Sequence, residues 1–130
     1  MQYEEFLNRV QEIGNLNSQE EAAALTRVIL ETLGERIYRT RRDRLSSQLP
    51  NELKKMLEAR TEPETARKEV QRFMLEEFYN RVSARADIAY DQAVIGVGSV
   101  MTALREAVTP AEWQDLRAEL PDEYDEILDV

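Results

Sequence analysis

Apolar residues along this chain recur mostly at three- and four-residue intervals. Phe6, Val10 and Ile13 share one helical face, as do Phe78 and Val82. A longer stripe, Leu25, Ile29, Leu33 and Ile37, follows Ser18. Ser18 is a natural helix cap, and Glu21 three residues on fits a capping box. A second long stripe is formed by Val94, Val97, Met101, Leu104 and Val108. Thr109-Pro110-Ala111-Glu112 reads as a helix start, with Thr109 as cap, Pro110 at the first position and Glu112 closing the box. Trp113, Leu116 and Leu120 lie on that short helix. Pro121 opens another that ends at Ile127 and Leu128, as Pro50 does for Leu53, Met56 and Leu57.

The pattern occurs twice. Residues 3–10 (YEEFLNRV) and 75–82 (LEEFYNRV) agree at six of eight positions at an offset of 72. After a one-residue slip the match continues at an offset of 71. Ala22, Leu33 and Glu35 then answer to Ala93, Leu104 and Glu106, and Leu45, Leu49, Pro50, Glu52 and Leu57 to Leu116, Leu120, Pro121, Glu123 and Leu128. Each copy reads as four helices: medium, long, short, short. One copy buries only part of its apolar faces, and two together can close a core. The expected fold is all-α, with two tandem four-helix repeats packed into one bundle-like domain spanning 1–130. The repeats cover about 1–58 and 74–130, and a linker at 59–73 joins them.

Composition agrees with a globular helical domain: 42% hydrophobic, 33% charged, four Gly and four Pro in 130 residues. The longest uncharged stretch, Gln92 to Leu104, is too short for a membrane span and predicts a buried helix. Met1-Gln2-Tyr3-Glu4-Glu5 lacks the basic and apolar regions of a signal peptide. With no Cys, nothing depends on disulfides, and a cytoplasmic setting is expected. A net charge of −9 disfavours nucleic acid and anionic membranes as partners.

The paired motifs EEFLNRV with LSSQLPNEL, and EEFYNRV with LRAELPDEY, resemble the domain of unknown function family 2267 over essentially the whole chain. The resemblance implies a small, helical, bacterial protein and supplies no catalytic residues. The chain departs from the family pattern in two places. Copy one has Tyr38-Arg39-Thr40-Arg41 where copy two has its Pro-containing helix start, and Met74 stands where a small polar cap is common.

The chain has no His and no Cys, which removes zinc sites, hydrolase triads, thiol chemistry and the His-containing di-iron pattern. Glu4-Glu5, Glu20-Glu21 and Glu76-Glu77 could hold Mg²⁺ or Ca²⁺, yet acidic residues early in helices are accounted for by the helix dipole. No enzyme activity, metal or cofactor is therefore expected. Gly96-Val97-Gly98-Ser99 has neither the strand nor the Lys of a phosphate loop. Ala93, Gly96, Val100 and Ala103 instead make a slim helix face, read as close packing between the repeats or, second, as a dimer contact. Charge is uneven: Arg36, Arg39, Arg41, Arg42 and Arg44 crowd residues 36–44, and residues 112–130 are acidic. A solvated helix face, pairing with the acidic tail (within the chain or in a homodimer), and binding of nucleic acid or a phosphorylated ligand all fit that run. The reading reached is a non-enzymatic helical module with an unknown protein partner and possible self-association; the alternative is nucleic-acid or phosphorylated-ligand binding through Arg36–Arg44.

Overall fold

Polar groups at the helix ends decide where each helix begins and stops. The computed structural model describes residues 1–59 and 72–129; most of the 59–73 linker lies outside them. Eight α-helices are present among the described residues, with no strand: α1 (Tyr3–Gly14), α2 (Gln19–Arg36), α3 (Arg39–Ser47), α4 (Asn51–Glu58), α5 (Leu75–Ala86), α6 (Tyr90–Ala107), α7 (Pro110–Glu119) and α8 (Asp125–Leu128). A 3₁₀ turn, Asp122–Tyr124, leads into α8, so the helix expected after Pro121 is split.

Helices α1 and α5 close in the same way. Asn15 and Asp87 take the left-handed conformation, at φ 52° and 55°, which their short polar side chains tolerate. The amides of Leu16 and Ile88 then donate back to the carbonyls of Gln11 and Ser83, at 3.0 and 3.1 Å. Gln11 and Ser83 side chains donate in turn to the Leu16 and Ile88 carbonyls.

The starts differ from expectation in detail. Ser18 Oγ accepts from the Glu21 amide at 3.1 Å, but the Glu21 carboxylate accepts from Asn17, one residue before the box position. Thr109 caps α7 through the Glu112 amide. Glu112 does not close that box: its carboxylate turns to Arg41, and Gln48 Oε1 accepts the Thr109 amide at 2.8 Å. A full charge outcompetes a neutral N–H for a carboxylate.

Helices α1, α2, α5 and α6 form the central bundle. Each medium helix touches both long ones: α1 lies against α2 and α6, and α5 against α6 and α2. The short helices finish the ends, α4 on α2, α8 on α6, and α3 against α7. One apolar core runs through all of it, and buried positions of the halves correspond: Phe6 with Phe78, Val10 with Val82, Leu33 with Leu104, and Leu57 with Leu128. Each such side chain contributes roughly 1.5–3 kcal/mol by leaving water.

The Arg and Glu shared by the two sequence copies meet across this bundle. Arg9 on α1 holds Glu106 on α6 with two hydrogen bonds, 2.8 and 2.9 Å. At the matching place Arg81 on α5 approaches Glu35 on α2 at 3.5 Å, and Arg85 binds Glu35 with two bonds of 2.8 and 3.0 Å. Glu35 is buried, whereas the Glu106 pair is partly in water. The Arg9 hydrogen bond holds Glu106 below its ordinary pKa of 4.5.

Glycine marks the tightest helix approach. A Cβ at Gly34 would overlap the Leu57 carbonyl oxygen, backbone that cannot step aside, whereas at Gly98 it would meet open space. Gly34→Ala is expected to lose about 1–3 kcal/mol through overpacking, and Gly98→Ala to gain about 0.5–1 kcal/mol of helix propensity, both read by denaturant unfolding. Glu35→Gln, which leaves two arginines facing a neutral group, is expected to lower the melting temperature more than Glu106→Gln does. Because the folded pKa of Glu106 is depressed, its pair stabilises above pH 4.5 and the contribution fades as pH falls through the lowered pKa. Melting scans of Glu106→Gln and wild type should differ at pH 7 and draw together as the pH falls into the acid range.

Candidate functional site

The sequence offers three candidate features: the Arg run, the slim face of α6 and the paired glutamates. The fold separates the members of the first. Arg36 ends α2 and is buried; its Nε donates to the Phe73 carbonyl at 2.7 Å, and its guanidinium lies 5.1 Å from the centre of the Tyr124 ring. Tyr124 donates its hydroxyl to the same carbonyl at 2.6 Å. Burial pushes that hydroxyl up to about 12, so it remains a donor through the physiological range. Arg42 donates to the Gly34 carbonyl at 3.0 Å.

Arg41 faces α7. It reaches Glu112 at 2.6 Å, Glu119 at 3.5 Å and Asp115 at 3.6 Å, three carboxylates on one helix face. Burial works against its charge, but the Glu112 hydrogen bond and the three carboxylates outweigh that and raise its pKa. Glu119 also accepts the Tyr38 amide at 2.8 Å, which fastens the start of α3 where the Pro of copy two is missing. Pairing between the Arg run and the acidic tail thus occurs within one chain. Arg39 and Arg44 remain at the surface, and Arg39 pairs with Asp43 at 3.9 Å.

Ala93, Gly96, Val100 and Ala103 are buried inside the chain. A Cβ on Gly96 would stand 2.7 Å from Leu25 Cδ2. Gly96 thus lies close against α2, and all four residues are buried within a single copy of the chain. The paired glutamates serve the helices: Glu5 accepts the Gln2 amide, Glu21 the Asn17 amide, and Glu77 pairs with Arg81 at 3.0 Å. Among the described residues no group of three or more Asp or Glu side chains is placed to hold a metal ion.

A feature not evident in the sequence lies between the halves. A cavity of about 690 Å³ opens between the first parts of α2 and α6 and the α1–α2 and α5–α6 connections. Corresponding positions of both copies line it: Gly14 and Ala86, Leu16 and Ile88, Glu21 and Gln92, Ala24 and Ile95. The left-handed turns at Asn15 and Asp87 bring Leu16 and Ile88 to its wall. Gly96 removes the bulk that would otherwise press on Leu25 in its floor. Ile95 is 59% exposed, the largest value among the exposed large hydrophobic residues. Its place on α6, two residues before the core residue Val97, was the available sequence signal. The cavity is of ligand-site size, with mostly apolar walls and a few polar groups.

The chain has no match among curated proteins. The family described as "Uncharacterized conserved protein (DUF2267)" matches residues 3–127, nearly the whole chain. No helix among the described residues is long and apolar enough to cross a membrane. Coverage on that scale includes both EEF-x-NRV motifs, both long helices and the cavity between them, and it makes this chain a member of the DUF2267 family.

Proposed function

We propose that this protein is a non-enzymatic binding module, built of two tandem copies of a four-helix unit, that takes its partner in the cavity between the copies. The observation that carries the reading is the open apolar cavity with Ile95 exposed at its edge. A concave recess with mostly apolar walls and a few polar groups is where ligand sites are usually found. The charged alternative is weaker. Of the five arginines in the run, Arg36, Arg41 and Arg42 are engaged within the fold, so the run offers few groups to a phosphate or nucleic acid. A cytoplasmic setting accords with the absence of Cys.

The test is a fluorescence titration with the neutral apolar probe N-phenyl-1-naphthylamine. Saturable one-site binding is expected, and Ala24→Trp, an exposed helix position on the cavity wall, should abolish it at an unchanged melting temperature. Absence of saturable binding, or binding untouched by Ala24→Trp, would overturn the reading.

A further inference from the structure

We infer that the cavity accepts an amphipathic organic anion: an aliphatic or aromatic body bearing one carboxylate or sulfonate. The inference rests on the binding-module reading and specifies its ligand. The body of such a molecule fits the walls supplied by Leu16, Val28, Ile88 and Ile95. The charge is selected by the ionic groups that line the cavity, which are two arginines and one glutamate in a protein of net charge −9.

Those three groups differ in what they have left to offer. Glu21 is occupied as an acceptor for the Asn17 amide at 3.2 Å. Arg85 binds Glu35 with both terminal nitrogens and also donates to Thr32 Oγ1 at 3.0 Å. Arg27 is exposed on α2 and, among the described residues, has no hydrogen bond or ion pair. An arginine at the edge of an apolar recess presents a planar fork of donors suited to an oxyanion. Asn15, Asn17 and Gln92 belong to the same lining, which is therefore polar as well as apolar. Arg85 is neutralised by Glu35, so the preference for an anion rests on Arg27, which would repel a cationic ligand and which a neutral apolar one would leave unused.

The experiment compares 8-anilinonaphthalene-1-sulfonate, an amphipathic anion, with neutral N-phenyl-1-naphthylamine on the intact protein. Wild type, Arg27→Gln and Ile95→Ser are titrated, each checked for an unchanged melting temperature. Arg27→Gln is expected to weaken the anion roughly fivefold, the scale of a solvent-exposed charge contact, and to leave the neutral probe unchanged. Ile95→Ser should weaken both. Equal response of the two probes to Arg27→Gln, with Ile95→Ser still weakening both, would overturn the anion assignment and leave the cavity reading standing. Failure of both probes to bind would overturn the two together. Sedimentation velocity adds a further outcome: a concentration-dependent dimer abolished by Ile95→Ser would make a second copy the occupant and remove the anion proposal.

Discussion

The remaining structure depends on one apolar core shared by the two halves, and two ionic links cross between the halves beside it. Arg9 reaches from the first helix of copy one to Glu106 on the long helix of copy two, and Arg81 with Arg85 reaches from copy two to Glu35 on copy one. An arginine fork holding a carboxylate with two bonds fixes orientation as well as distance. Each medium helix sits against both long helices, and Phe6, Val10, Phe78 and Val82 enter one shared core. Neither half has a complete set of partners by itself. The identical residues of the EEF-x-NRV motif acquire a physical reason: Phe and Val fill the core, Arg crosses to the other copy, and the second Glu serves a helix start or a local pair.

The links are alike in position and unlike in environment. Glu35 is enclosed and bound by two arginines, while Glu106 has one and stays partly in water. Ile13 occupies the place of Arg85 in copy one, so the second arginine exists on one side only. Enclosure makes the Glu35 link the more costly to break, because an unpaired charge there has little water to turn to.

The same divergence shapes the cavity. Where copy one has Leu25, copy two has Gly96, and where copy one has Ala24, copy two has Ile95. Bulk has moved from the floor on one side to the rim on the other. Gly96 lets Leu25 fill the crossing of the long helices, while Ile95 is left standing in solvent. Two copies that kept identical side chains here would present the same bulk from both walls.

By itself the sequence determined the helical class and the core stripes, since these follow from periodicity and from local capping by Ser18 and Thr109. Tertiary structure alone decided the fate of the charges. Five arginines adjacent in sequence look like one patch, but a helix end and a chain turn at Ile37–Tyr38 send Arg36 to the Phe73 carbonyl, Arg41 to α7 and Arg42 back to Gly34. For Arg36 and Arg41 the partners lie 37 and 71 residues away, and no local pattern encodes those. The cavity is of the same kind: its two walls are loops and helix faces about seventy residues apart in sequence, and only their packing makes them one site.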